Sequence, residues 1–132
     1  MTAKLFDFST LYTAGNVETR QPGDYIFRVG EAGKLMYVVK SGEVQIKVHD
    51  AVVETVVAGN LLGEMALLDN APRSADAVAA TPCEIIPIDM MRFLSLVQQA
   101  PFFAIEVMRI MVRRLRAMNE RVGSLRTRVG DF

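Results

Sequence analysis

Two charged residues, Glu64 and Arg73, lie in the segment 61–80, LLGEMALLDNAPRSADAVAA, which is otherwise mostly small or apolar. The stretch GEMALL predicts one or two turns of helix opened by Gly63, and a helix start carries unpaired backbone N–H groups that favour an anion. The turn DNAP then brings Arg73 into the next strand beside that helix start. A guanidinium with free N–H groups and the hydroxyl of Ser74 is typical of a phosphate site.

Glu64 needs a different explanation, because a carboxylate aimed at a phosphate would repel it. Next to a phosphate site, it could accept hydrogen bonds from the hydroxyls of a sugar. A ligand with one phosphate and one sugar, such as a cyclic nucleotide, therefore fits both residues. The residues alone leave a second interpretation open, in which Glu64 and Arg73 form an internal ion pair that fixes a turn.

From Val17 onward, short apolar runs are separated by turn residues such as Gly, Pro and Ser. The stretch EVQIKVH (43–49) alternates apolar and polar side chains, as a strand with one buried face does. Short strands with turns roughly every 8–12 residues favour an antiparallel barrel or jelly roll. We therefore expect a β-roll over about 17–88.

Two helices are predicted after the strands, over about 89–127. Asp89 can cap the first helix, which runs to about Gln99, and Pro101 suits the first turn of the second. The predicted fold class is therefore α+β and mainly β: an antiparallel β-roll (jelly roll) followed by C-terminal helices, with a short phosphate-binding helix inserted between strands. We expect residues 1–132 to form a single domain.

The composition is that of an ordinary folded protein, with 51% hydrophobic and 23% charged residues and a formal net charge of zero. A single cysteine, Cys83, permits no intrachain disulfide and indicates a reducing compartment, and its apolar neighbours predict a core position. The sequence has no recognisable signal segment or membrane span, so we expect a cytoplasmic protein. His49 has no partner at metal-ligand spacing and no catalytic arrangement is recognisable, so we expect no metal, no cofactor and no enzymatic activity.

Two motifs resemble the cyclic nucleotide-binding domain of bacterial catabolite activators, kinase regulatory subunits and gated channels. The phosphate-binding cassette of that family reads Gly-Glu-x-(Ala/Gly)-Leu, a short loop, then Arg-(Ser/Thr/Ala)-Ala. This sequence has GEMAL at 63–67 and RSA at 73–75. A second family signature is matched by IF at 26–27, GEAG at 30–33, the apolar run at 35–39 and Gly42. The resemblance extends over about 17–122.

The resemblance implies a role for each matching residue. Glu64 would accept the ribose 2′-hydroxyl, and Arg73 would bind the cyclic phosphate with help from Ser74. The backbone of Gly63 and of Met65–Ala66 would line the sugar and phosphate. Two further residues would be apolar walls of the pocket or plain core, and these are Leu62 and Ala75. Asp76, where many relatives have Thr or Val, is expected outside the pocket by strand alternation.

Alignment with catabolite activators places Met118 and Asn119 where the last helix meets the base. An amide supplies a donor and an acceptor, which suits an adenine edge, although a solvent-facing Asn119 is an equally open interpretation. The ligand expected from the resemblance is cAMP. Because Ser74 could also contact guanine in the syn form, cGMP remains an alternative.

Apolar residues of the last helix recur in steps of four and three. The residues of this predicted heptad seam are Ala104, Met108, Met111, Leu115, Met118, Val122, Leu125 and Val129. Such a seam is compatible with packing on the chain's own β-roll or with a parallel two-helix homodimer. The segment from Glu106 to the end has seven arginines against three acidic residues, which is typical of a solvated helix face or of a docking surface for an acidic partner.

We therefore expect a stand-alone sensor that binds a cyclic nucleotide and relays binding through its last helix to a protein partner. Catabolite activators carry a helix-turn-helix domain after this helix, for which the sequence leaves no room before Phe132. Two alternatives keep the same fold, namely a ligand-free dimerisation scaffold and an excised sensor domain of a larger regulator. An arginine-rich helix that binds nucleic acid is disfavoured by the neutral total charge and by the absence of aromatic residues interleaved with the arginines of the tail.

Overall fold

The computed structural model describes residues 4–13 and 16–129, with side chains described through residue 123. Eight strands form two antiparallel four-stranded sheets, in the orders β1-β8-β3-β6 and β2-β7-β4-β5. The strands are β1 (Glu18–Arg20), β2 (Tyr25–Phe27), β3 (Met36–Ser41), β4 (Glu43–Val48), β5 (Ala51–Val57), β6 (Leu61–Leu62), β7 (Asp76–Ala79) and β8 (Cys83–Ile88). The predicted β-roll is confirmed.

Four helical segments accompany the sheets: a 3-10 helix (Phe8–Leu11), α1 (Glu64–Asp69), α2 (Met90–Gln99) and α3 (Pro101–Val129). The short helix α1 lies between β6 and β7, where the sequence predicted it. The side chain of Asp89 caps α2 by accepting a hydrogen bond from Arg92 N at 2.8 Å. Pro101 begins α3, because its missing N–H costs nothing in a first helical turn.

The sheet containing β3 is buried on both faces, which explains the continuous apolar run MYVV. Met36 and Val38 pack with apolar residues of α2 and α3, including Phe93 and Phe103. Tyr37 and Val39 alternate with them and pack inside the roll, against residues of the second sheet and against Cys83. The first sheet therefore separates a helical layer from the roll interior, and the predicted core position of Cys83 is confirmed.

β7 begins at Asp76, so that Arg73 lies before this strand and not within it as the sequence predicted. The two residues before Asp76 do not enter the sheet, because the backbone of Arg73 pairs with a turn instead. Arg73 N donates to Glu31 O at 2.8 Å, and Gly30 N donates to Arg73 O at 2.8 Å. The turn at 30–33 therefore holds Arg73 in place.

Helix α3 carries two apolar faces, which differ from the predicted heptad seam. The inward face packs on the β-roll through Phe103, Val107 and Ile110, and Met111 is partly buried against the same cluster. The outward face is exposed and consists of Ile105, Met108, Val112, Leu115, Met118 and Val122. Two members of the predicted seam, Ala104 and Met111, are half-buried, because a helix turns by 100° per residue. Two others, Leu125 and Val129, lie beyond the residues whose side chains are described.

The N-terminal segment is tied to α3 by a buried carboxylate. Glu106 is 2% exposed, and its Oε1 accepts a hydrogen bond from Leu5 N at 3.0 Å. Arg109 and Arg113 lie 3.9 and 3.8 Å from its oxygens. No helix among the described residues is long and apolar enough to cross a membrane.

Gly33 allows the turn at 30–33 to pack on α1. A Cβ on Gly33 would overlap the Cβ of Ala66 and approach the carbonyl oxygen of Ala71 to 3.1 Å. We predict that Gly33→Ala lowers the free energy of unfolding by about 1–3 kcal/mol, as overpacking does in other cores. Urea unfolding measures this change.

Gly123→Ala is the matched control, because a Cβ there meets nothing within 4 Å and Gly123 lies within α3. This substitution is expected to raise the free energy of unfolding by about 0.5–1 kcal/mol, since alanine is the better helix former. An equal, small effect of both substitutions would contradict the close packing of Gly33 on α1.

Candidate functional site

A cavity of about 400 Å³ lies between the segment 62–75, strands β4 and β5, and the C-terminal half of α3. We call the segment 62–75 the cassette. This volume falls in the range of small-molecule sites, roughly 300–1,000 Å³. Its lining residues are Phe27, Ile46, Val48, Val53, Glu54, Asn60, Leu62, Gly63, Glu64, Met65, Ala66, Arg73, Ser74, Ala75, Ile110, Arg113, Arg114, Ala117, Met118 and Arg121.

Arg73 is a buried cation without a carboxylate partner. Arg73 is 5% exposed. Among the described residues, no carboxylate oxygen lies within 4.0 Å of its guanidinium nitrogens. Nη1 donates to Gly63 O at 2.9 Å, Nη2 donates to Leu35 O, and the guanidinium lies 4.0 Å from the centroid of the Phe27 ring. Nε is buried without a hydrogen-bond partner. Burial lowers the pKa of Arg73, which still leaves it a cation at neutral pH.

Gly63 lets the backbone and Arg73 approach each other. Its φ of +80° is a left-handed conformation that side chains disfavour, and a Cβ there would lie 2.7 Å from Nη1 of Arg73. Gly63 is also the N-cap of α1 and provides no side-chain cap. The first amides of α1 are therefore available to an anion held by Arg73.

Glu64 is paired with an arginine from α3, not with Arg73. Glu64 is 2% exposed, and its Oε1 accepts a hydrogen bond from Nη1 of Arg114 at 2.6 Å. Nε of Arg114 donates to both carboxylate oxygens of Glu54, at 2.9 and 3.0 Å, and Nη2 donates to Leu61 O. The internal Glu64–Arg73 ion pair that the sequence left open is therefore absent from the described residues.

Arg114 links α3 to the roll. We call its contacts with Glu54, Leu61 and Glu64 the clasp. Burial by itself lowers the pKa of Arg114, but the charge of Glu64 and the hydrogen bonds and charge of Glu54 outweigh it, so that its pKa is raised overall. One guanidinium thus joins α3 to β5, to β6 and to the start of α1.

Every predicted site residue except Asn119 lines the cavity: Leu62, Gly63, Glu64, Met65, Ala66, Arg73, Ser74, Ala75 and Met118. Asn119 is exposed and does not line the cavity, because the rotation of α3 places it on the outward face with Val112 and Leu115. Asp76 lies outside the cavity, where its Oδ1 accepts a hydrogen bond from Val29 N at 2.8 Å.

Sequence reasoning missed the polar residues that α3 and β5 bring to the cavity, namely Glu54, Arg113, Arg114 and Arg121. A signal for Arg114 exists in the sequence. Phe103, Val107 and Ile110 form an apolar stripe at steps of four and three, and the next step of four falls on Arg114, which places a charged residue on an inward face. The same steps continue through Ala117 to Arg121, whereas no comparable pattern identifies Glu54.

The end of the cavity away from Arg73 is apolar on one side and basic on the other. Ile46, Val48 and Val53 from β4 and β5 form the apolar wall. Arg121 faces it from α3, and its Nη2 donates to Val53 O. This part of the cavity therefore combines an apolar wall with a guanidinium.

The model of the cyclic nucleotide-binding domain family matches residues 17–100 of the chain. The chain is 36% identical over 99 residues to the cyclic AMP receptor protein of Thermus thermophilus. This alignment covers 71% of this chain and 46% of that protein. It is also 36% identical over 80 residues to the cAMP-dependent protein kinase regulatory subunit of Eremothecium gossypii, covering 61% of this chain and 18% of that protein. The chain thus spans less than half the length of these curated relatives.

Solved structures show the same relationship. The Thermus thermophilus catabolite activator protein superposes with a TM-score of 0.78 at 29% identity, over 89% of this chain and 57% of that chain. A structure described as Sp-2Cl-cAMPS bound to PKAR CBD2 superposes with a TM-score of 0.69 at 27% identity, over 80% of this chain and 70% of that chain. Together with the arginine–glutamate cassette, these matches establish that the chain belongs to the cyclic nucleotide-binding domain family.

Proposed function

We propose that this chain is a cyclic nucleotide sensor, which binds a cyclic mononucleotide in the cavity and relays binding through α3. The observation that carries the proposal is Arg73, a cation that is 5% exposed, has no carboxylate partner among the described residues and has an unpaired Nε. A buried charge without a counter-ion is costly, so a bound anion would stabilise this arrangement. The proposal assigns no reaction to the cavity.

The ligand would lie with its phosphate on Arg73, assisted by the hydroxyl of Ser74 and by the first amides of α1. Glu64 would accept the ribose 2′-hydroxyl with the oxygen that Arg114 does not engage. The base would then extend toward the apolar wall of Ile46, Val48 and Val53. Leu62 and Ala75 would complete the pocket as apolar walls.

The first ligand to test is cAMP. The receptor protein and the kinase regulatory subunit that this chain resembles are both named for cAMP. Another relative, from Eimeria tenella, is a cGMP-dependent protein kinase, so cGMP belongs in the same experiment.

Arg114 supplies the relay. It binds Glu64, the residue proposed to hold the ribose, and it is part of α3. A ligand that changes the position of Glu64 therefore changes the restraint on α3. The resulting shift is limited by the difference in ligand affinity between the two positions of the helix.

The outward face of α3 favours a homodimer as the form in which α3 acts. Ile105, Met108, Val112, Leu115, Asn119 and Val122 are spaced by three and four residues and are all exposed. Branched residues at alternate positions together with a single Asn are typical of a parallel two-stranded coiled coil, in which the Asn fixes the register. In such a dimer, Asn119 would lie in the interface. A protein partner would then bind according to the position of the paired helices.

Arg73→Ala is predicted to weaken cAMP binding by roughly 2–5 kcal/mol, because it leaves the phosphate unpaired in a buried site. Arg73→Lys should also bind poorly, since an ammonium cannot replace the planar fork. Isothermal titration calorimetry measures both affinities. The matched control is Arg28→Ala, since Arg28 also lies over an aromatic ring, 3.9 Å from the centroid of Tyr25, but outside the cavity. Affinity equal to that of the parent protein in Arg73→Ala would rule out the phosphate role.

Arg114→Met is predicted to lower the free energy of unfolding by about 3–5 kcal/mol, because it leaves the buried Glu64 without its counter-ion. Adding Glu64→Gln to that variant should restore part of the loss. Urea unfolding of the single and double variants measures the coupling.

Arg113→Met is the control for Arg114, because the neighbouring Arg113 side chain is 63% exposed and lies 3.8 Å from Glu106. Because Arg113 is largely exposed and the buried Glu106 keeps Arg109 and Leu5 N as partners, we expect Arg113→Met to cost only about 0–1 kcal/mol. If Arg113→Met and Arg114→Met destabilised the protein equally, the clasp would not hold α3 to the roll.

Leu115→Glu is predicted to convert a dimer into a monomer, because a carboxylate would be buried in the interface between two copies of α3. Sedimentation velocity of both proteins at matched concentration measures the change. Met91→Glu places the same substitution at an apolar residue of α2 that is 81% exposed, and it should leave the dimer intact. A monomeric parent protein would refute the dimer while leaving ligand binding unaffected.

A further inference from the structure

We infer that Met65 and Met118 are oxidation sites through which peroxide lowers the affinity of the cavity for its ligand. The inference rests on the proposed function, because it concerns how binding in that cavity is regulated. The reagent is hydrogen peroxide or another oxidant of that class, and the product is methionine sulfoxide.

Two methionine side chains lie at the opening of the cavity. Met65 belongs to α1 and Met118 to α3, and both line the cavity. Met65 is 51% exposed and Met118 is 56% exposed. A side chain that lines a cavity and is also more than half exposed can be reached by a small solute from the solvent. One thioether on each side of the cavity is therefore accessible to an oxidant.

The other described methionines differ from this pair in exposure or in location. Met36 is 0% exposed in the core, and Met90 and Met111 are partly buried against it. Met91 is 81% exposed and Met108 is 55% exposed, but neither lines the cavity. Among its described residues, the chain therefore has two accessible methionines in the cavity and two outside it. This arrangement separates the effect of location from the effect of oxidation itself.

The modification is an oxygen transfer to sulfur. One oxygen of hydrogen peroxide forms a bond to the thioether sulfur, the O–O bond breaks, and the other oxygen leaves as water with both hydrogens. The sulfur is oxidised by two electrons and the peroxide is reduced by them. The product is a polar side chain in place of a flexible apolar one, and its new oxygen is a hydrogen-bond acceptor.

At Met65 the new oxygen would lie at the proposed phosphate site. Gly63 is the N-cap of α1, so Met65 belongs to the first turn of the helix, where the backbone amides lack partners. Arg73, the buried cation without a carboxylate partner, lines the same cavity. A sulfoxide oxygen carries partial negative charge, so it would repel a bound phosphate or accept a hydrogen bond from a donor that the phosphate needs.

At Met118 the new oxygen would lie on a side of the cavity that carries arginines. Arg114 precedes Met118 by four residues and Arg121 follows it by three, so the three side chains are neighbours on the surface of α3. Both arginines line the cavity as well. Oxidation of Met118 would therefore give these cations an acceptor that competes with an anionic ligand.

The test treats the full chain with hydrogen peroxide and follows each methionine by peptide mass spectrometry. Isothermal titration calorimetry measures the affinities for cAMP and for cGMP before and after treatment. We expect sulfoxide at the four exposed methionines before it appears at Met36. The affinity for the nucleotide that binds should fall roughly 5- to 10-fold, as the loss of one hydrogen bond produces. Methionine sulfoxide reductases A and B together should restore it.

Two double variants assign the effect to the methionines of the cavity. Each protein is compared with itself before and after peroxide, so a change in its starting affinity does not enter the result. The loss should disappear in Met65→Leu/Met118→Leu, since leucine keeps the apolar volume and has no sulfur to oxidise. Met91→Leu/Met108→Leu changes the two exposed methionines outside the cavity, and it should lose affinity as the parent protein does.

The ligand should in turn protect the cavity methionines, because the coupling between two binding or modification events is reciprocal. Saturating nucleotide is expected to slow the oxidation of Met65 and Met118 and to leave that of Met91 unchanged. Peptide mass spectrometry over a time course measures the three rates in one sample.

Three results would overturn the inference. Unchanged affinity after complete oxidation of Met65 and Met118 would show that the cavity tolerates sulfoxides, while leaving the sensor function intact. An equal loss of affinity in both double variants would assign the effect to a residue outside the cavity. Failure of both nucleotides to bind the untreated parent protein would reject the sensor function itself, and the inference with it.

Discussion

The cassette is built around one buried guanidinium, Arg73, which has no carboxylate oxygen within 4.0 Å in the described part of the chain. Three features of the chain position Arg73: the carbonyl oxygens of Gly63 and Leu35, the ring of Phe27, and the turn at 30–33 that pairs with its backbone. These groups orient the cation without neutralising it, since carbonyl oxygens and an aromatic face carry only partial negative charge. The cassette thus holds a buried charge that a bound anion would stabilise further. Gly63 suits this position because its φ of +80° disfavours a side chain and a Cβ would lie 2.7 Å from Nη1 of Arg73.

A second arginine completes the site from the opposite side, and the two cations have different tasks. Arg114 is fully paired, with two carboxylates and a carbonyl oxygen, whereas Arg73 has no carboxylate. Pairing Glu64 with Arg114 gives that buried carboxylate a counter-ion other than Arg73. If Glu64 were paired with Arg73, neither residue would be available to a ligand. The division between an arginine paired with carboxylates and one without such a partner is the feature on which the proposed binding site depends.

Local sequence rules predicted the elements and the cassette, because each rests on contacts between neighbours in the chain. Single residues predicted the start of each helix: Gly63 before α1, Asp89 as the cap of α2 and Pro101 in the first turn of α3. The contacts between α3 and the roll could not be predicted, because they depend on how α3 is rotated about its axis. The outward face keeps four members of the predicted seam but has Ile105 and Val112 where the seam had Ala104 and Met111, and the same rotation of the helix places Asn119 outside the cavity. Arg114 and Arg121 reach the site only through that rotation, and Glu54 reaches Arg114 across 60 residues of sequence.

The rotation of α3 also links its two faces. Arg114 points to the cavity and Leu115, the next residue, lies on the outward face. A helix is stiff over this distance, so a displacement that alters the Arg114 clasp must move Leu115 by a similar amount. Glu106 extends the link, since it joins the inward side of α3 to Leu5 in the N-terminal segment. Under the proposed function, a ligand that engages Glu64 would act through α3 on the clasp, the outward face and the N-terminal contact together. The shift it could produce would equal the difference in its affinity between two positions of α3.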